Sequence, residues 1–310
     1  MPTPRGGGVG IVAGAIFAAA VIAAHAEFPY RFVGLALLAA IVPVAAVGWI
    51  DDHGGLRART RFAAHCLAAA VLLTVPALLV GLLLPVLHPG ALLLYALATM
   101  LPGLAIVWSI NLHNFMDGID GLLALQALFV LVALAVIFIH VGRPDDAGNI
   151  GLFAAAVAGF LPFNFPRARI FMGDVGSGVL GLLVAVAVGW QMFTPAIALA
   201  SGIVLCSAFA TDATCTLLSR MLRGRRWYSA HREHLYQWLV RCGYSHVQVV
   251  AFYMGWNLLI VLPVVCWMNR VPQARMSPGI GSAIVVYVLA GFVWWFGRRW
   301  CLTRSRRAAA

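Results

Sequence analysis

Four short stretches of this 310-residue chain carry side chains that could act on a phosphate group. They are Gly48-Trp49-Ile50-Asp51-Asp52, the run from Asn111 to Gly121, Ile170-Phe171-Met172-Gly173-Asp174, and His231-Arg232-Glu233-His234-Leu235-Tyr236-Gln237. Six of the ten acidic residues fall within them, the five aspartates Asp51, Asp52, Asp117, Asp120 and Asp174 in the first three stretches and Glu233 in the fourth. Carboxylates gathered in one place repel and raise one another's pKa unless a cation joins them. Oxygen donors facing a phosphate suit Mg²⁺, with Mn²⁺ as the alternative, and such an ion keeps water and phosphate in its shell. The chemistry this implies is metal-assisted phosphoryl transfer.

Each stretch also has a bland reading. Asp51 and Asp52 would end a helix at its C-terminus, where the dipole disfavours acids, so a functional role outweighs a terminating one. Asn111, Asn114, Asp117 and Asp120 recur every three residues, which on a helix would set them along one side, a polar stripe that is wasted on lipid. Asp174 precedes Gly176 and Ser177 at a helix start, where a carboxylate also serves as a cap. His231 and His234 would share a helix face, and Tyr236 and Gln237 can hydrogen-bond a diphosphate without carrying positive charge at neutral pH. Asp212 sits inside an apolar stretch, where an acid is either functional or a buried partner for an arginine. The arginines from Arg220 to Arg232 could clamp phosphates bidentately, although lipid contact is the better reading for most of them.

The elements that hold these residues are helices in a membrane. The chain is 63% hydrophobic and 10% charged, with a mean hydropathy of +0.94, more apolar surface than a soluble domain can bury. About ten apolar stretches of spanning length begin near Gly8, Tyr30, Phe62, Leu92, Gly121, Ile150, Ser177, Ala196, Val247 and Ile280. They predict an all-α, polytopic single domain over 1–310. Runs such as Gly121–Val141 do not alternate, which excludes a β-barrel. All 21 basic residues are arginine. With Arg5 inside, alternate loops collect 17 of them, against Arg31, Arg143, Arg270 and Arg275 outside. The bias sets both termini and the loops near 51–61, 111–120, 164–176 and 220–246 in the cytoplasm. The net charge of +11 therefore points to lipid headgroups and anionic substrates, and no nucleic acid is expected as a partner. The six cysteines have no paired or zinc-type spacing and read as small core residues. No cleavable signal peptide and no internal transporter repeat is evident.

Taken in order, the four stretches resemble those of the polyprenyl-phosphate N-acetylhexosamine-1-phosphate transferases, the glycosyltransferase family 4 enzymes related to phospho-MurNAc-pentapeptide translocase. The resemblance extends over essentially the whole chain. Pro2-Thr3-Pro4-Arg5-Gly6-Gly7-Gly8 is similar to the family's first cytoplasmic loop, before which relatives carry a further helix. The resemblance implies that Asp51 and Asp52 act on the polyprenyl phosphate as base or nucleophile and that Asp117 and His234 join them in catalysis. It implies that Asp174, with Asp117, binds the metal, and that Asn114 lies by the nucleotide. Phe171 matches an aromatic that stacks on uracil, and Asn111, Asp120, His231, Arg232 and Tyr236 would contact substrate. Many relatives have His-Leu-His-His where this chain has His234-Leu235-Tyr236-Gln237. That substitution resembles the branch that initiates bacterial O-antigen chains, and it argues against the peptidoglycan translocase.

The expected reaction is UDP-N-acetylhexosamine plus undecaprenyl phosphate giving undecaprenyl-diphospho-HexNAc and UMP, at the cytoplasmic face of the bacterial inner membrane. The sugar could be GlcNAc or a 6-deoxy HexNAc. An apolar groove between helices should admit the lipid sideways, membrane lipids surround the protein, and relatives suggest a homodimer. The rivals are the peptidoglycan translocase and, from a different class, a transporter or lipid flippase. A transport site would lie near the midplane, whereas these acids crowd one surface.

Overall fold

The computed structural model describes residues 3–28, 30–83, 91–191, 194, 197–198, 200–225, 231–271 and 277–309. It is all-helical, with no strand among the described residues. Thirteen helices follow in chain order among them: α1 (Gly8–His25), α2 (Tyr30–Gly54), α3 (Ala58–Leu83), α4 (Ala91–Met116), α5 (Leu122–His140), α6 (Pro144–Asn164), α7 (Gly173–Gln191), α8 (Ser201–Leu205), α9 (Ser207–Met221), α10 (Leu235–Arg241), α11 (His246–Trp256), α12 (Leu262–Arg270) and α13 (Ser277–Ala309). A π-helical turn, Asn257–Val261, joins α11 and α12 into one rod.

Seven helices among the described residues are long and apolar enough to cross a membrane: α1, α2, α5, α6, α7, the rod His246–Arg270 and most of α13. The protein is thus a multi-pass membrane protein. Of the other stretches expected to span, those near Phe62 and Leu92 are the helices α3 and α4. The stretch expected from Ala196 contains two helices, α8 and α9, meeting at Cys206. Ala196 itself, Pro2 of the N-terminal loop, and Arg226 and Arg275 of the arginine count lie outside the described residues.

In lipid the helices gain nothing from hiding leucine, so close backbone approach and polar bonds decide how they pack. The most enclosed of the seven is α7, with 72% of its spanning window buried. Glycines let its neighbours in: a β-carbon on Gly8 of α1 would run into Gly176, one on Gly48 of α2 would sit 2.6 Å from the Val175 backbone, and one on Gly181 would sit 2.7 Å from the Ser109 carbonyl of α4. Buried polar pairs fasten the remainder. Asn257 donates to the Gln126 amide oxygen at 2.6 Å, and Gln126 donates to the Leu205 carbonyl at 3.2 Å. α7 therefore stands between α1, α2 and α4, and the acidic motifs lie at the ends of α2, α4 and α7.

Candidate active site

The site is assembled on the N-terminus of α7. Gly173 has φ +77°, and a β-carbon there would sit 2.6 Å from the Asp52 carboxylate. The missing side chain makes room for Asp52 to accept hydrogen bonds from the Asp174 and Val175 N–H groups, at 3.0 and 3.1 Å. Both oxygens of Asp52 are thus committed to the first turn of α7, where N–H groups and dipole favour an anion. An acid at the end of α2, disfavoured within its own helix, is stabilised by the start of another.

Asp51 and Asp174 meet through Arg61, one turn into α3. Its guanidinium contacts the Asp51 carboxylate and lies 3.5 Å from that of Asp174. The two carboxyl groups are within hydrogen-bond reach of each other, and Asn114 of α4 reaches Asp174 as well. Asn114 also donates to the Ser177 hydroxyl at 3.2 Å. Asp117 closes the cluster from the loop after α4. Burial first, then the charges of Asp174 and Asp52, push its pKa up to about 7. Four aspartates from three distant stretches therefore converge at one end of the molecule.

The motif from Asn111 to Asp120 does not form the single helical stripe that its spacing predicts. α4 stops at Met116, and the chain turns through 117–121 into Gly121 at φ +74°. Asn111 and Asn114 remain on α4, but Asn111 donates to the Val107 carbonyl at 2.7 Å and stands 3.1 Å from the His65 ring nitrogen. Asp120 turns away from the cluster. It accepts from the Ala168 N–H at 3.1 Å and lies 3.3 Å from His246 of α11, so it ties two loops together. Asn164 completes that tie, accepting from the Gly121 N–H at 2.8 Å and donating to the Ile170 carbonyl at 3.1 Å.

Phe171 lies beside the cluster, 41% exposed. Its backbone is gripped by the N-terminal segment: its N–H donates to the Pro4 carbonyl and its carbonyl accepts from the Gly7 N–H, both at 2.9 Å, in an isolated bridge with Arg5. The glycine-rich opening thus serves close backbone packing against 171–176.

The fourth motif forms the other wall. Tyr236 is buried, donates to the Phe115 carbonyl at 3.0 Å and accepts from the Gln237 amide at 3.0 Å. Gly118 leaves the space that the Tyr236 hydroxyl fills, since a β-carbon there would collide with it. His231 and His234 lie with ring centroids 4.9 Å apart, beside Phe115. Burial lowers the pKa of both, His231 to about 4, although Asp212 opposes the shift at His234. They are therefore neutral hydrogen-bonding groups at pH 7, and positive charge in the site comes from arginine. Arg232 is exposed on the same loop.

Among the described residues Asp212 pairs with hydrogen-bond donors that carry no arginine charge. It accepts from the Leu235 and Tyr236 N–H groups at 2.8 and 3.4 Å, the Tyr253 hydroxyl at 2.7 Å, the Trp294 indole at 3.1 Å and the Thr216 hydroxyl at 3.2 Å. It binds α9, α10, α11 and α13 to one another and caps α10. An apolar groove of about 360 Å³ lies behind it, lined by Phe252, Trp256, Leu259 and Trp294.

Sequence reasoning gave no site role to Arg61, His65 or Asn164, and named Gly118 and Ser177 only as members of their motifs. Arg61 had a signal, because a turn of only three residues between α2 and α3 must bring the arginines after Asp51-Asp52 back beside them. The others are seen only through contacts between distant segments.

Residues 34–190 match the model of glycosyl transferase family 4. The chain is 35% identical over 315 residues to the decaprenyl-phosphate N-acetylglucosaminephosphotransferase of Mycobacterium tuberculosis (strain ATCC 25618 / H37Rv), covering 93% of this chain and 78% of that protein. It is 31% identical to the phospho-N-acetylmuramoyl-pentapeptide-transferase of Symbiobacterium thermophilum, over 84% of this chain and 80% of the relative. It is 24% identical to the probable undecaprenyl-phosphate N-acetylglucosaminyl 1-phosphate transferase of Bacillus subtilis (strain 168), over 86% and 75%.

Proposed function

Because this chain belongs to glycosyl transferase family 4, we propose that it transfers N-acetylhexosamine 1-phosphate from a UDP-sugar to undecaprenyl phosphate, releasing UMP. The product is the first lipid-linked intermediate of a cell-surface polysaccharide, the class that includes O-antigen. The observation that carries the proposal is the convergence of Asp51, Asp52, Asp117 and Asp174 with Arg61 at the start of α7. The arginine distribution supports a cytoplasmic location for that end, and for both termini, in a bacterial inner membrane.

The donor set fits a divalent cation. Asp117 is partly buried among carboxylates and holds its proton up to about pH 7, which marks a place where a positive ion is favoured. Among the described residues no three His, Cys, Asp or Glu side chains converge as a ready cage. Asp117 and Asp174 would therefore hold Mg²⁺, or Mn²⁺, with water and phosphate oxygens completing the shell. When bound, the ion supplies neutralisation of the diphosphate and of the charge that develops on the leaving UMP.

The remaining work belongs to side chains. Asp51 faces the acceptor phosphate and accepts or orients its proton, while Arg61 holds the carboxylate in place. Asp52 fixes the first turn of α7 and with it the direction of Asp174. Phe171 offers its exposed face to the uracil ring. His231, His234 and Tyr236 present neutral donors to the diphosphate, and Arg232 adds charge from the loop.

The Tyr236-Gln237 pair and the 35% identity to a GlcNAc phosphotransferase favour a GlcNAc-type donor over UDP-MurNAc-pentapeptide. Purified protein incubated with undecaprenyl phosphate and a panel of UDP-sugars tests the reading through UMP release. UMP release that requires both substrates and is abolished by EDTA is the expected result. No UMP release with any sugar in the panel, or release with UDP-MurNAc-pentapeptide alone, overturns it and leaves a transport role or the translocase.

A further inference from the structure

Away from the acidic cluster, the cytoplasmic ends of α9 and α13 enclose a groove of about 610 Å³. Arg223, Arg298 and Arg299 line it, with Trp294, Trp295 and Leu222 among the apolar walls. Two of the arginines are held by indoles: Arg298 lies over the Trp294 ring at 5.5 Å and Arg299 over Trp295 at 4.7 Å. Stacking of this kind steers a guanidinium without neutralising it.

The charges do not balance. Arg298 is only 7% exposed, and its Nε is buried with no hydrogen-bond partner. Its nearest carboxylate, Glu233, is 3.9 Å away. Glu233 already contacts Arg220 and pairs with Arg225 at 2.9 Å. One carboxylate thus serves three arginines, and Arg223 adds a fourth positive group at the groove. A buried guanidinium without full compensation is costly, and an anion relieves it. The rim is apolar: Leu222 is 89% exposed and Leu218 50%. Those side chains suit hydrocarbon next to the anion.

We infer that this groove is a binding site for the phosphodiester headgroup of an anionic membrane phospholipid, with its acyl chains along Leu218, Leu222 and Leu302. The headgroup phosphate meets Arg298 inside the groove and Arg223 and Arg299 at its mouth. The inference does not depend on the proposed reaction, and its test does not read turnover.

The test uses the full-length protein in a neutral detergent, with binding measured by native mass spectrometry and by the shift in thermal unfolding. Phosphatidylglycerol is titrated against phosphatidylcholine, undecaprenyl phosphate and inorganic phosphate. Phosphatidylglycerol should bind preferentially. Each of Arg223→Gln and Arg299→Gln should weaken it about fivefold, as expected for one arginine near an anionic lipid. Both residues are exposed, so these variants keep the fold where Arg298→Gln could lose it. Equal binding of phosphatidylglycerol and phosphatidylcholine overturns the inference. Unchanged binding in both variants also overturns it, as does an arginine-dependent site that takes undecaprenyl phosphate or inorganic phosphate in preference to phosphatidylglycerol.

Discussion

Replacing Asp117 with asparagine should stabilise the metal-free protein while abolishing its activity. The folded protein holds the Asp117 pKa at about 7, because burial and the neighbouring Asp174 and Asp52 charges disfavour the carboxylate. In the unfolded chain an aspartate titrates near about 3.9. The folded state therefore binds more protons between those values, and stability falls as pH rises through that window. At about 1.4 kcal/mol per unit, the loss specific to Asp117 grows by about 2 to 3 kcal/mol between pH 5 and pH 8. The amide of Asp117→Asn cannot ionise, so the variant escapes that loss. Thermal unfolding in detergent with EDTA should show it gaining on the wild type with pH, by about 5 °C or less for a chain of this length. Added Mg²⁺ should then raise the wild-type midpoint through linkage, and more at pH 8 than at pH 5, while the variant responds little. A variant that is destabilised equally at pH 5 and pH 8, or that gains as much from Mg²⁺ as the wild type, would refute both the charge crowding and the metal assignment.

Further consequences can be checked singly. Gly118→Ala should push the Tyr236 hydroxyl off the Phe115 carbonyl, costing about 1 to 3 kcal/mol and lowering kcat, and Tyr236→Phe in the same chain should recover part of the lost stability. Asp52→Ala removes a two-oxygen cap and should lower stability by about 1 to 2 kcal/mol, with asparagine at the same position losing less, as read by thermal unfolding. Because His231 titrates at about 4, kcat/KM for UMP release should show no histidine limb between pH 6 and pH 8, and a limb lost in His231→Gln would contradict its neutrality. Asp212→Ala leaves several buried donors without an acceptor and should cost about 3 kcal/mol or more, seen as a loss of folded protein in detergent extracts.

The gathering of the acids was legible because lipid tolerates so few of them that their clustering stands out. Asp51, Asp117 and Asp174 could be picked from position alone, and the all-helical fold followed from unbroken apolar runs. What a residue's neighbours do with it was not legible. Asp52 and Asp51 are adjacent and identical, yet one caps a helix whose N–H groups come from residues 174 and 175, and the other meets an arginine. Period-three spacing suggested one polar stripe to Asp120, but the helix ends at Met116, and a turn sends Asp120 to Ala168 and His246. Asp212 read as either functional or an arginine partner, and its partners among the described residues are N–H and O–H groups from four helices, which no local pattern announces.

The bridge between Pro4–Gly8 and Phe171–Met172 has a consequence for recognition. A ring whose main chain is sutured on both sides has its point of attachment fixed before any planar ligand arrives, so stacking on it orders only the side-chain torsions and costs less than ordering a loose loop. Removing the first eight residues should therefore loosen nucleotide binding, raising KM for the sugar donor, although none of those residues is acidic and none belongs to the carboxylate cluster.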